Sequence, residues 1–368
     1  MKLIVVPVAL VCFLMGCQSA AEQPAEQPES AAPDGESRFT FSEDATSLTI
    51  LDSGEPVLTF LHGRTDPPDG VDQSWWRSNY IHPIYGLDGE ILTQDFPADH
   101  LHHRGLFWTW PDVTKGDLEV DPWALIGARQ LFLDWEERRA DGDRATVSFM
   151  GGWRLDEAWE PFVEEQITLT IHPADEVGRS LDLQMQFTNV SSETVTLRGR
   201  GETGYGGFNI RPDGDRPGIR ITTAEGLMED DALVVESGWA DYSALFRAEP
   251  EEVLSAPSGE GGSGAEGDDS DAEGDASGSD ETGQERAEES GAYSGIAIFQ
   301  HPSNPGFPHP GWILRYYGFI GASWPQYERL ELAPGEGFSL AYRVYIHRGD
   351  AEAGEVEERY NAFLEEMQ

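Results

Sequence analysis

Hydrophobic and polar positions alternate with a period of two along much of this chain. Gln166-Ile-Thr-Leu-Thr-Ile171 and Ser180-Leu-Asp-Leu-Gln-Met-Gln-Phe187 are the clearest cases. Each reads as a strand with one buried and one polar face. Residues 39–62 give three shorter runs of the same kind, broken at Asp52-Ser53-Gly54. Further strands are expected at Ala145–Phe149, Phe162–Ile171, Leu181–Val190, Val195–Arg200, Ile219–Thr223, Ile296–Gln300, Ile313–Tyr317 and Phe338–His347. Many short strands separated by Gly, Pro and Asp turns predict an all-β fold, a large antiparallel β-sandwich. Helical periodicity is confined to Glu355–Glu366, where Val356, Tyr360 and Phe363 fall on one face.

Two segments break the pattern. At the start, Lys2 precedes the apolar run Leu3–Met15, which ends in Leu14-Met15-Gly16-Cys17. That run is shorter than the roughly 20 residues needed to span a bilayer. A basic residue, a short apolar run and a small residue before Cys predict a lipoprotein signal over 1–16. Cys17 then carries the lipid and a bilayer becomes the first partner. Residues 17–37, rich in Gln, Pro, Glu and Ala, form a disordered tether to a single domain over 38–368. Gln18 carries no inner-membrane retention signal, so the expected location is the cell envelope, at the outer membrane. Residues 251–290 hold 14 acidic residues and one arginine among Gly, Ser and Ala. This is an acidic disordered insertion within the domain.

Charge narrows the function further. The 368 residues carry 68 acidic against 24 basic groups, a net charge of −44, and lysine occurs only at Lys2 and Lys115. Nucleic acid is excluded as a partner, because binding phosphates needs clustered Lys and Arg. The acidity and lysine scarcity read as a halophilic surface. Cys12, the one other cysteine, lies in the signal, so no disulfide or thiolate ligand is expected.

Candidate chemistry concentrates in three glycine- and proline-punctuated stretches. The first runs from His82 through Asp95-Phe-Pro-Ala-Asp-His-Leu-His-His-Arg-Gly-Leu-Phe-Trp108. The second is Arg200-Gly-Glu-Thr-Gly-Tyr-Gly-Gly-Phe-Asn-Ile-Arg211, and the third is Gln300–Trp312 continuing to Tyr317-Gly318. Imidazoles suit proton transfer near neutral pH, and guanidinium groups suit carboxylates or developing charge. In an acid/base site, His102 or His103 transfers the proton, and Asp99 or Glu202 is its partner. In a metal site, His82, His100 and His102 would be ligands; if extended, His100 and His102 share a face while His103 points away. A purely structural role for the histidines is the third possibility. No phosphate-cradling loop, nucleophile elbow or His-Glu-x-x-His motif is present; the acid/base reading requires no cofactor, and the sequence names none.

The same stretches resemble a family of bacterial secreted proteins often labelled PmoA or "methane oxygenase". The resemblance runs through Tyr80-Ile-His-Pro-Ile-Tyr85, Asp88-Gly89, Leu92–Trp108, Tyr205-Gly-Gly-Phe-Asn-Ile-Arg211, His301-Pro-Ser-Asn304, Trp312, Arg315 and Tyr317-Gly318. Gly306-Phe307 departs from it, standing where a basic residue is more usual. The resemblance implies a β-sandwich in secreted proteins of polysaccharide-degrading bacteria, and hence carbohydrate work. The sandwich would be of the wide two-sheet kind seen in sugar mutarotases and polysaccharide lyases. The expected function is therefore a surface-anchored, carbohydrate-active hydrolase, lyase or epimerase using His/Glu acid-base chemistry on a glycan fragment. Its substrate-binding set would be Arg104, Arg211, Arg315, His301, Trp108, Trp312 and Tyr205. Within it Arg211 and Arg315 would hold a carboxylate or developing charge, and Trp108 or Trp312 would stack on a ring. Two alternatives are a non-catalytic glycan-binding lipoprotein and a His-ligated metalloenzyme.

Overall fold

In a computed structural model, residues 37–156, 158–247 and 293–368 are described. The signal, Cys17, the tether and the acidic insertion lie outside them. The alternation along the chain builds two large sheets and a small one. The first sheet runs, in spatial order, β1 (Phe39–Glu43), β2 (Ser47–Asp52), β3 (Glu55–Leu61), β4 (Tyr80–Ile84), β5 (Leu106–Thr109), β13 (Gly207–Ile210), β20 (Phe319–Ala322), β19 (Gly311–Arg315) and β16 (Ala232–Val234). The second runs β15 (Gly226–Leu227), β14 (Arg220–Thr223), β17 (Trp239–Ala244), β18 (Ser294–Gln300), β22 (Gly337–Arg348), β11 (Gly178–Asn189), β10 (Val163–Ile171), β9 (Arg144–Leu155) and β8 (Ala128–Asp141). The small sheet is β21 (Leu330–Leu332), β12 (Val195–Arg198), β6 (Asp112–Lys115) and β7 (Leu118–Val120). Every pairing among the described strands is antiparallel. The protein is an all-β, antiparallel sandwich.

The two nine-stranded sheets face each other across one core. In β10, Val163, Glu165, Ile167, Leu169 and Ile171 point inward; in β11, Leu181, Leu183, Met185 and Phe187 do the same. From the first sheet, Phe60 stacks on Phe149 at 4.4 Å and Phe208 on Tyr342 at 4.5 Å between ring centroids. One inward position is a carboxylate. Glu165 is fully buried and accepts indole N–H bonds from Trp108 and Trp153, both 3.0 Å, and amide bonds from Gln130 and Asn79. Burial pushes its pKa up, against those bonds.

Alternate residues of the same strands serve two further clusters. On the outer face of the second sheet, Trp239, Phe299 and Tyr345 receive Val356, Tyr360 and Phe363 of helix α1 (Val356–Glu366). On the outer face of the first sheet, Tyr80, Phe107, Trp123, Ile313 and Phe319 form a third cluster, joined by Tyr205 and Tyr317. Phe107 faces this cluster while its neighbours Leu106 and Trp108 face the core. The candidate site is built on this floor.

Candidate functional site

The histidine segment is not extended. Pro97–His100 and His100–His103 form consecutive turns, closed by His100 N–H to Pro97 O (3.1 Å) and His103 N–H to His100 O (2.8 Å). The expectation that His103 points away from its neighbours is therefore corrected. The turns bring all three rings together: His100 stacks on His103 at 4.5 Å with parallel planes, and His102 meets His103 edge-on at 4.5 Å. His103 lies 4.5 Å from the Phe319 ring and is buried. His102 is half-buried beside Trp75, at 6.1 Å, and its ring nitrogens bond to no described residue. Gly105 is required where the segment enters β5, because a Cβ there would sit 2.3 Å from the Ile81 carbonyl oxygen.

Two arginines shape the segment. Arg104 is fully buried and donates to the carbonyls of Leu101, His103 and Trp75, tying the histidine turn to the Trp75 turn. Its guanidinium lies 3.5 Å over the Phe96 ring, and its Nε is 3.3 Å from Asp95 without hydrogen-bond alignment. It cannot reach a ligand, so its expected place in the substrate-binding set is corrected to one in positioning. Arg211, leaving β13, donates to Asp99 at 3.0 and 3.1 Å and to Gln94 at 3.2 Å. It lies 3.5 Å from His103 Nδ1 and 4.9 Å beneath the Tyr317 ring, which also stacks on His100 at 4.9 Å. Asp99 Oδ2 is 2.9 Å from His100 Nδ1, a close approach off the N–H direction.

Electrostatics follow from this packing. Burial pulls His102 down to about 3, and the charges of Arg77, Arg104 and Arg200 act in the same direction. Burial pulls His103 far down as well, with Arg211 and Arg77 adding to it. Both imidazoles are thus neutral at pH 7. Burial opposes ionisation of Asp99, but the close approach of His100 and the Arg211 charge hold it below the usual carboxylate range. Burial pushes the Tyr317 phenol up to about 12.

Of the other expected residues, Tyr205 joins the site, 4.8 Å from Trp123 and bonded through its hydroxyl to Arg200, itself paired with Asp121. Glu202 is exposed on the neighbouring turn and makes no hydrogen bond or ion pair with a described residue, so the structure offers no histidine contact for it. Trp108 and Trp312 are core residues, their indoles donating to Glu165 and to the Ser237 carbonyl (3.1 Å); neither can stack on a sugar. Arg315, at the end of β19, is held by the carbonyls of Leu314 and of Ala232 in the edge strand β16, 3.6 Å from Asp231. His301 sits on the outer face of the second sheet, 5.6 Å from Phe363 and lining a groove with Gln166, Gln184 and Gln186. It is on the opposite side of the sandwich from the histidine turn. His82 bonds Thr93 at 3.0 Å and lines a cavity of about 550 Å³ with Asp95, Asp213 and Asp215. Among the described residues no three His, Cys, Asp or Glu side chains are arranged to hold a metal ion, so His82, His100 and His102 do not form a ligand set.

Four participants escaped the sequence reading: Trp75, Arg77, Trp123 and Tyr317. Trp123 and Phe107 floor the site, 5.4 Å apart, and Trp123 meets His103 edge-on at 5.8 Å. Arg77 lies 4.9 Å over Phe107. Only Tyr317 stood inside a stretch already singled out.

These features define an antiparallel sandwich protein with an imidazole- and guanidinium-rich site on the outer face of one sheet. Residues 47–361 match the model of a family of unknown function (DUF6807), and the chain belongs to that family. No curated protein matches. Among solved structures, it is similar to an α-galactosidase from Lactobacillus brevis, with 10% identity and TM-score 0.38 over 85% of this chain and 40% of that one. An α-galactosidase from Geobacillus stearothermophilus matches at 9% identity and TM-score 0.32, over 85% and 41%. A polysaccharide lyase matches at 14% identity and TM-score 0.31, over 86% and 33%. The chain spans about two fifths or less of these proteins. With so little identity, the likeness is one of coarse strand arrangement.

Proposed function

We propose that the protein is a surface-anchored lipoprotein of the PmoA-labelled kind, held at the outer membrane through Cys17, that acts on a glycan fragment by proton transfer. The observation that carries this reading is His102. Its imidazole is neutral at pH 7, its ring nitrogens are free of described protein partners, and it stands beside the half-buried Trp75 ring. A neutral imidazole with open ring nitrogens can accept a proton, although one held at about 3 is a weak base in the free protein, and an indole face suits a sugar ring. Asp99 is held ionised by His100 and Arg211, so it is no source for the proton that hydrolysis needs at the leaving oxygen. This favours β-elimination or epimerisation, which begin with proton removal, over hydrolysis. Arg211 and Tyr317 would stabilise charge developing near His100. The acidic surface is one adapted to high salt.

The test incubates the full chain with a panel of oligosaccharides and reads products by mass spectrometry. The expected result is a product from one class, lost in His102→Gln while binding of that oligosaccharide persists. Binding without any product would favour a non-catalytic glycan-binding lipoprotein. Neither product nor binding would overturn the reading.

A further inference from the structure

Four guanidinium groups surround the histidine turn: Arg77, Arg104, Arg200 and Arg211. Arg104 faces Asp95, Arg200 pairs with Asp121 and Arg211 with Asp99. Arg77 has no ion pair with any described carboxylate. It is 4% exposed, its Nη2 donates to the carbonyls of Pro122 (3.1 Å) and Trp123 (3.2 Å), and its Nε has no partner. Carbonyl dipoles solvate a cation without neutralising it. The Asp95 charge that Arg77 feels is already bonded to Tyr80 at 2.9 Å and paired with Arg104. The imidazoles add no compensation, because they are neutral. In a chain of net charge −44, the wall of this site therefore carries an uncompensated positive charge.

We infer that the site takes an anionic ligand of the carboxylated-sugar class, and that the buried guanidinium of Arg77 sets this preference through its field. The sugar part rests on the proposed function; the charge part rests on Arg77 alone. Arg77 does not touch the ligand. It lies behind Phe107 and the Trp123 backbone, where low polarisability lets its charge act at a distance. Burial is the main cause that holds His102 down, and the charges of Arg77, His100, Arg104 and Arg200 add to it; a carboxylate in the site opposes those charges. Through its charge, the bound carboxylate makes the imidazole a better proton acceptor than it is in the free protein.

The experiment is calorimetric titration of the full chain with trigalacturonate, triglucuronate, their methyl esters and the non-sugar polycarboxylate tricarballylate. The esters keep the ring and remove the charge. At least one acid is expected to bind about tenfold tighter than its ester. That ratio should fall in Arg77→Met and persist in Arg77→Lys, with the fold of each variant checked by circular dichroism. If Arg77→Met does not fold, the acid-to-ester ratio of the parent chain still decides. Equal binding of acid and ester would overturn the anionic inference and leave the glycan reading standing. Tricarballylate binding as tightly as the sugar acids would sustain the charge inference and overturn the glycan reading. Binding of none would overturn both. The His102 Cε1–H resonance, followed by NMR with and without the bound acid, should titrate at higher pH in its presence.

Discussion

His102 differs from its neighbours in having neither an ion pair nor a hydrogen bond to a described residue, and this has a consequence for stability as well as chemistry. Its pKa is about 3 in the folded chain, against an unfolded value near 6.5. Between those limits the unfolded chain binds the proton and the folded one does not. His102 thus contributes stability that is present above pH 6.5 and is lost as pH falls towards 3. His102→Gln is expected to lose less thermal stability than the parent between pH 7 and 4.5, and parallel melting curves would refute this. Glu165 has the opposite sign. Burial raises its pKa, so folding favours its protonated form and its cost grows as pH rises from the ordinary carboxylate value. Glu165→Gln should remove that component, flattening the melting temperature between pH 5 and 8 relative to the parent. Arg104 is a structural test of the same segment. Arg104→Met strands the carbonyls of Leu101, His103 and Trp75, one bond buried and two part-buried, and should destabilise by about 3 kcal/mol in denaturant titration, with Arg104→Lys no substitute for its fork. A loss under about 1 kcal/mol would show that the histidine turn holds its shape without it.

At the scale of elements, legibility in the sequence depended on whether burial was one-sided. β10 and β11 pair in register from Val163 with Asn189 to Ile171 with Leu181, and their strict alternation mirrors one buried face. Helix α1 was legible for the same reason. By contrast β8 hides its pattern: two register shifts, at Phe132/Asp134 and Trp135/Glu137, break the alternation, and Glu136-Glu137-Arg138-Arg139 lies on a sheet edge where charge is tolerated. β5, β13 and β20 are four residues each and buried on both sides, so no alternation could reveal them. The histidine cluster was visible as a composition, but not its shape, because consecutive turns defeat a strand-face argument. Arg77 and Trp123 were invisible for a different reason: they reach the site through the third cluster, from segments with no motif of their own. The docking of α1 makes a testable claim here. Phe363 is buried beside Phe299 with the Arg343 guanidinium over its ring, so Phe363→Ala should cost about 3 kcal/mol in denaturant titration. A change near zero would mean that the helix adds no stability to the second sheet.

At the scale of the whole molecule the governing quantity is charge. The described basic residues are heavily engaged: Arg179, Arg198, Arg220 and Arg343 each hold an acid across strands or between strand and loop, and Arg359 ties helix α1 to Asp175. With 68 acids and 24 bases, most acids have no cation to pair with, and their mutual repulsion falls on the folded state, where they are closest. Salt shortens the reach of that repulsion, from a screening length of about 10 Å at 0.1 M to about 3 Å at 1 M. The short cross-strand pairs are much less affected, because screening acts weakly within contact distance. The melting temperature of the full chain should therefore rise by several degrees between 0.1 and 2 M NaCl, at roughly 2 °C per kcal/mol of relieved repulsion. Potassium chloride should reproduce the effect and sucrose should not reproduce its steepness at low concentration, since screening depends on ionic strength rather than solvent exclusion. A melting temperature that is flat or falling with NaCl would mean that the ion-pair network outweighs the repulsion, and the high-salt adaptation would have to be given up. The anionic-ligand inference meets the same field from the other side. A carboxylated sugar approaching this acidic surface is repelled until it reaches the arginine wall, so added salt should raise its association rate rather than lower it.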